Sequence, residues 1–531
     1  MRPAGRGPLE SLYFTYPHFD APGPDHDRTR PMQVAIIGAG PVGMVAALEL
    51  ARHGQASLLI DAKDTFNDGS RAICVARASY HILDRLGAVQ PFLDKSLPWT
   101  TGRSFYRGQQ ILEFEMPDSA DEKFRPMYNL QQQYIEAFLW QAVAREPLIE
   151  TRWQTELHGI EITGPGATLT LRDPHGDYTL HARYVLAADG ARSAVRRLLN
   201  LRLTGENYEG RYVIADVRMD HDHPTIRRAL FDPACRPGGT VLIHRQPDDI
   251  WRIDYQLRDG EDPRDATRED RVRASVAGVL AEIGHRGGWE LEWWSIYSAN
   301  TLALDDYRHG PVIFAGDSAH IVPIFGVRGL NNGLADAQNI GWKLALVLSG
   351  RAGAGLLASY TPERRGATLD VFANASKSAR FMTPPTPGWA LMRDAALSLA
   401  LRHDWAGALA NPRQMAPYSY AQSPISADGA PSLRGPSVGT MLPDKALTKG
   451  FLSDRMGPLF TLIWFGKAPT VAHPLLTVID QPAEGPLARA WAAPEGSAWL
   501  IRPDLHVAAR WSGACASDIL SFLDTILERQ A

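Results

Sequence analysis

Val34-Ala-Ile-Ile-Gly-Ala-Gly-Pro-Val-Gly43 spaces three glycines as GxGxxG, a pattern that brings backbone close to a pyrophosphate. Gly38, Gly40 and Gly43 are predicted to turn between an apolar strand and a helix that opens with Pro41 and Val42 and runs through Ala51. The N-terminus of such a helix attracts an anion. Asp61, followed by Ala62, ends the next apolar run, Ser57 to Asp61, twenty-three residues beyond Gly38. A carboxylate there can hydrogen-bond an adenosine ribose. Two more glycine–acid stretches lie far along the chain, Ala188-Asp-Gly-Ala-Arg-Ser193 and Phe314-Ala-Gly-Asp-Ser-Ala-His320. A lone GxGxxG is commonly a tight turn, but strand, helix and acidic partner are all in place here. The three stretches together describe a flavin site.

The elements that must hold these residues alternate from Met32 to about Leu201 as strands and amphipathic helices, the pattern of a parallel sheet covered on both faces. The pattern then changes. Tyr212-Val-Ile-Ala-Asp-Val-Arg-Met219, Thr240-Val-Leu-Ile-His-Arg245, Ile250-Trp-Arg-Ile-Asp-Tyr-Gln-Leu257 and Leu291-Glu-Trp-Trp-Ser-Ile-Tyr297 are β-branched and aromatic, as in an antiparallel sheet. Helix-and-strand alternation returns at Pro311-Val-Ile-Phe-Ala-Gly316, followed by a long helix from about Leu330 to Leu348. The expected order is an extended arm over 1–31 and a nucleotide-binding α/β domain over 32–211 and 298–365, with a sheet domain inserted at 212–297. A helical segment at 366–416, a Pro/Ser/Gly-rich linker at 417–443 and a βα block at 444–531 complete it.

Composition narrows the partners. A net charge of -4 over 531 residues leaves no basic field to hold nucleic acid or an anionic membrane. Cys74, Cys235 and Cys515 stand apart without zinc spacing, which predicts neither a metal site nor a disulfide framework and suits a reducing cytoplasm. His221 and His223 sit among Asp220, Asp222 and Pro224 and read as a solvated loop rather than as ligands. The first thirty-odd residues lack the apolar core of a signal peptide, and no apolar run approaches bilayer length, so a soluble cytoplasmic protein is expected.

With all three stretches placed, the chain resembles the class A flavoprotein monooxygenases, the FAD-dependent aromatic hydroxylases related to 3-(3-hydroxyphenyl)propionate hydroxylase and phenol hydroxylase. The most specific part is the order GxGxxG, then DGxxSxVR from Asp189 to Arg196, then GDSAH followed by GxRGLNxGxxDAxNxxWKL from Gly326 to Leu344. The resemblance implies a Rossmann-like FAD domain, non-covalent FAD, NADPH or NADH as a transient electron donor, and O2 as co-substrate. It assigns Gly316 and Asp317 to the ribityl chain, and Asp189 and Gly190 to both FAD and the nicotinamide donor. The ordinary alternative for each Asp is a helix N-cap.

Gly329, Leu330 and Asn331, reinforced by Arg328, would turn a helix N-terminus toward the pyrimidine edge of the flavin, where negative charge is favoured. Arg71 in Gly69-Ser-Arg-Ala-Ile73 matches the family arginine near the pyrophosphate. Gln132 matches a flavin-contacting glutamine, with Gln131 as a register alternative, and Arg252 resembles an arginine reaching from the sheet to the flavin. The chain departs from the family at His320-Ile-Val-Pro323-Ile324-Phe325-Gly326, where Ile324 replaces the second proline of His-x-x-Pro-Pro. The carbonyl near the oxygen intermediate survives if the backbone path does. The last block is similar to the thioredoxin-like C-terminal domain of phenol hydroxylase relatives. It lacks CxxC, which leaves a structural or homodimer-forming role.

The implied reaction is hydroxylation of a small electron-rich aromatic, such as a phenol, through a C4a-hydroperoxyflavin. His244 is a candidate for drawing the phenol proton near neutrality, with a core histidine as the equal alternative, and Tyr255 lies nearby. Strand alternation places Tyr255 opposite Arg252 and Asp254. The rival readings are a flavin enzyme with other oxygen chemistry, such as epoxidation, and a flavin-bound scaffold whose chemistry has decayed. No WxWxIP-type halogenase segment is present.

Overall fold

The computed structural model describes every residue except Asp259, 324–326, 411–416 and 529–531. Its first sheet is centred on Met32–Ile37, which pairs in parallel with Gly176–Ala187 on one side and Ser57–Ile60 on the other. Val312–Phe314 and Ile149–Arg152 extend the parallel order at the two flanks. Val34, Ile36, Leu58, Val185 and Ile313 are wholly buried, as sequences covered on both faces require. Each such side chain contributes about 1.5–3 kcal/mol. The helices Pro41–Arg52 and Gly329–Leu348 approach closely because glycine faces the partner at two points: a Cβ on Gly333 would meet Val42 Cγ2 at 2.7 Å, and one on Gly341 would meet Glu49 Cγ at 2.7 Å.

The second sheet runs His320–Ile321, Glu290–Ala303, Thr204–Arg218, Ile250–Gln256, Thr240–Arg245, Arg227–Phe231, Thr101–Tyr106 and Gln109–Glu115. Its pairs are antiparallel except that Arg227–Phe231 lies parallel to Thr101–Tyr106. The four expected strands are present, but the sheet reaches beyond 212–297. It recruits a hairpin from 101–115, and its longest strand begins at Thr204. Helix Glu269–Glu282 covers one face, where Val272, Val276, Ile253 and Tyr255 share a core.

Helices Tyr360–Met382 and Pro387–Ala400 lead to a third sheet ordered Ala427–Asp428, Val507–Ser512, Ser497–Ile501, Phe460–Phe465 and Leu476–Gln481. The stretch expected as linker thus supplies its first strand. This sheet does not stand apart: Phe460, Leu462 and Leu500 belong to the same core as Trp342 of the long helix. Residues 1–31 form no helix or strand, yet the arm is held down. Phe19 stacks on Trp153 at 4.2 Å, and Arg2 pairs with Glu292 of the second sheet and with Asp68 beside the first. Among the described residues no helix is long and apolar enough to cross a membrane.

Candidate functional site

The glycine turn is sterically determined. Gly38 adopts φ +106° and a Cβ there would lie 2.5 Å from the Ala188 carbonyl oxygen, while a Cβ on Gly43 would lie 1.9 Å from that of Gly38. Gly40 differs from both: no atom stands within 4 Å of its Cβ position, so the turn leaves open space before the helix at Pro41. That helix start has no side-chain cap, so its first amide groups are left without a side-chain acceptor. Asp61 braces the turn by accepting from the amides of Ala39 (2.8 Å) and Lys63 (3.0 Å), and its oxygens keep further acceptor capacity. A cleft of about 670 Å³ borders Ala62, Lys63, Gln154 and Arg172 just beyond it.

Asp189 follows the strand Gly176–Ala187 and precedes the helix Ala194–Leu198, whose N-cap is Ser193. Oδ2 of Asp189 accepts from the Val195 amide at 3.1 Å, while its Oδ1 is buried with no hydrogen-bond partner. Burial pushes this carboxyl up from its ordinary value against those bonds. Gly190 at φ +75° opens onto empty space. Asp317 is accessible to solvent, yet the protein packed around it raises its carboxyl despite the nearby charges of His320 and Arg71. Gly316 donates its amide to Asp336 Oδ2 at 2.9 Å and packs against Val42.

Arg71 is exposed, close enough to Asp317 to act on its charge, and its backbone is held from two directions. Gln132 Oε1 accepts from the amides of Arg71 and Ala72 at 3.2 Å each. Gln131 is buried and donates instead to the Pro247 carbonyl. Arg252 is buried in an ion pair with Asp216 and donates to the carbonyls of Ser70 and Arg71, tying the second sheet to the Ser70–Arg71 turn. Its fixed fork suits it to bond several oxygens at once.

The long helix begins at Gly329 without a side-chain cap, with Leu330 and Asn331 in its first turn and Arg328 buried before it. Asn331 joins this helix to the strand Cys74–Ala76: its Oδ1 accepts from the Ala76 amide at 2.8 Å and its amide group donates to the Cys74 carbonyl. Pro323 is buried, and the preceding Val322 carbonyl accepts from Tyr297 OH at 2.6 Å. Gly326 and the Ile324 departure lie outside the described residues.

On the second sheet His244 faces Arg252 across the strand pair, and Asp254 shares that face. Tyr255 is on the other face, in the core with Val276 and 5.2 Å from the Arg236 guanidinium, so it is not brought to the same place as His244. The expectation that His244 titrates near neutrality is corrected. Burial, with Arg227 and Arg252 adding repulsion, lowers it to about 3. The group poised near neutrality is Asp254, which burial raises to about 7 against the pull of Arg252. Asp336 and Arg364, which fix Gly316 from beneath, had no role assigned from sequence. Asp336 was visible only as the acid of the DAxN motif.

An uncapped helix start beside open space at Gly40, a partnerless oxygen on Asp189 and an accessible carboxylate on Asp317 fit the phosphates and hydroxyls of a flavin dinucleotide. Residues 31–375 match the family described as FAD binding domain. The chain belongs to that family. Among curated relatives, the 3-(3-hydroxy-phenyl)propionate/3-hydroxycinnamic acid hydroxylase of Klebsiella pneumoniae (strain 342) is 28% identical over 363 residues, 68% of this chain and 64% of that protein. The protein of the same description from Mycobacterium sp. (strain JLS) is 30% identical over 364 residues, 68% of this chain and 62% of its own length. The chain therefore spans under two thirds of the length of these relatives.

Two solved structures share the fold of this FAD-binding protein nearly end to end. The flavin-dependent monooxygenase PieE, in complex with FAD and substrate, superposes with TM-score 0.77 at 22% identity over 94% of this chain and 100% of that one. Aklavinone-11 hydroxylase, with FAD and aklavinone, gives TM-score 0.75 at 22% identity over 95% and 100%. The resemblance to FAD-dependent hydroxylases drawn from the sequence motifs is borne out, as is the Rossmann-like FAD domain.

Proposed function

We propose that this protein is a monooxygenase that holds FAD without a covalent bond and uses NADH or NADPH and O2 to hydroxylate a phenolic or similarly electron-rich aromatic. One observation carries the reading: Arg252 fastens the polar face of the second sheet to the Ser70–Arg71 turn of the FAD-binding domain, so His244 and Asp254 belong to the same neighbourhood as the flavin-side residues. The relatives described as hydroxylases of phenolic acids support it.

Gly38, Gly40 and Gly43 with the helix start at Pro41 would hold the pyrophosphate, Asp61 the ribose, and Asp189 and Asp317 the hydroxyl-bearing chain. FAD, when bound, supplies hydride acceptance and oxygen activation. The helix start at Gly329–Asn331, with Arg328, favours negative charge in front of it. Asp254 Oδ1, buried and without a hydrogen-bond partner, accepts the phenol proton, for which an acid near 7 is well matched. His244 stays neutral and orients. The third sheet is read as the thioredoxin-like domain with a packing role, burying Phe460 and Leu500 against the FAD-binding core.

The test is NAD(P)H oxidation by the purified yellow protein in the presence of phenolic acids, catechols and polyketide phenols, with 18O2 as the oxygen source. A stimulated rate with one labelled oxygen in the product is expected. A flavin-loaded protein inert toward all three classes overturns the reading.

A further inference from the structure

Arg227 is 5% exposed and lies on the short strand Arg227–Phe231, two residues from Ala229. Ala229 faces Leu242, which in turn faces Asp254, so strand alternation puts Arg227 on the same face as His244, Arg252 and Asp254. Both terminal nitrogens of Arg227 are buried and make no hydrogen bond, and no ion pair includes it among the described residues. Arg252 has its own carboxylate in Asp216. Two more partnerless atoms occupy the same face, His244 Nδ1 and Asp254 Oδ1. Arg227 acts electrostatically on Cys74, His244 and Asp254, so these groups form one neighbourhood, with Trp99 edge-on to His244 at 6.2 Å.

A buried polar group in a folded protein is almost always bonded, and a bare buried charge is among the least tolerated features of an interior. Three such groups on one face, beside an indole, describe a recognition surface better than a structural core. The guanidinium fork matches a carboxylate through two parallel bonds.

We propose that Arg227 anchors the carboxylate of an acidic aromatic substrate, leaving Asp254 and His244 to the remainder of the molecule. This rests on the monooxygenase reading for the word substrate, but the binding claim is tested separately. The FAD-loaded protein is titrated with 3-(3-hydroxyphenyl)propionate and its primary amide, and with 3-hydroxybenzoate and its amide, following the flavin absorbance. In at least one pair the acid is expected to bind ten-fold or more tightly than the amide. Arg227→Met should bring the acid to the level of the amide without loss of FAD, and Arg227→Lys should retain part of the preference. Arg227→Met should also melt no lower than the parent, since it removes a bare charge.

Acids and amides that behave alike, including failure of both to bind, overturn the proposal. So does an Arg227→Met variant that keeps the preference or melts below the parent. A protein that prefers acids yet forms no hydroxylated product upholds the anchor and defeats the monooxygenase reading. A hydroxylase indifferent to the charge does the reverse.

Discussion

Asp336 Oδ2 lies 2.7 Å from His320 Nε2, with both side chains wholly buried beneath the Gly316–Asp317 turn. The same oxygen accepts the Gly316 amide, and Oδ1 accepts from Arg364 Nε at 2.6 Å. Burial opposes charge on Asp336, but Arg364 and His320 outweigh it and hold the carboxyl below its ordinary range.

Asp336→Asn should therefore loosen the turn that carries Asp317 and leave Arg364 buried without its counter-charge. Breaking a buried pair from one side costs about 3–5 kcal/mol. The expected outcome is a lower melting temperature together with a reduced FAD:protein ratio after gel filtration. An unchanged ratio would mean that the Asp336 network does not support cofactor binding through the Gly316–Asp317 turn.

Gly40→Ala and Gly43→Ala should fail differently, although both alter the same turn. A Cβ on Gly43 collides with backbone, so that variant should not fold. A Cβ on Gly40 meets no protein atom, so that variant should melt near the parent temperature yet retain little FAD. Circular dichroism and the flavin absorbance separate the two outcomes, and full FAD content in Gly40→Ala would remove this turn from the cofactor site.

Glu363 is held down to about 2 by Arg502 and Lys343 against the effect of burial, whereas its ordinary value is 4.5. Its folded value lies below its unfolded value, so the stability it contributes is complete above about 4.5 and is lost as pH falls toward 2. The slope is at most about 1.4 kcal/mol per pH unit. Asp504 in the same network adds the same sign. Urea midpoints should drop in this window for the parent. Glu363→Gln, already destabilised at pH 7 because buried Lys343 loses its carboxylate while Arg502 keeps only Asp504, should show a shallower drop.

Asp254 works in the opposite sense. Burial raises it from 3.8 to about 7, so between those values the folded state keeps a proton that the unfolded chain has released. Stability falls as pH rises through that window and levels off above about 7. Asp254→Asn should abolish this fall in the urea midpoints. It should also lower the turnover of a phenol at least ten-fold if Oδ1 takes the phenol proton.

The parts legible in the sequence are those set by local rules. Glycine spacing at Gly38, Gly40 and Gly43, the acid at Asp61 and the apolar run of the long helix depend on neighbours within a few dozen residues, and each lies where its spacing implied. The reach of the second sheet beyond 212–297 was not legible because the hairpin at 101–115 joins it only by pairing with Arg227–Phe231 across more than a hundred residues. The third sheet's strand at Ala427 likewise depends on a partner at Ala509.

By itself the sequence pointed to an α/β chain with phosphate-binding turns and a second, antiparallel sheet, because such turns and strand periodicity are written in contiguous residues, and the resemblance of its motifs supplied FAD. Tertiary structure alone decided the ionisation of the site. Only folding sets Arg227, His244, Arg252 and Asp254 on one buried face, and the removal of water there lowers the histidine to about 3 and raises the aspartate to about 7. Desolvation belongs to the packed assembly, and no spacing of residues along the chain records it.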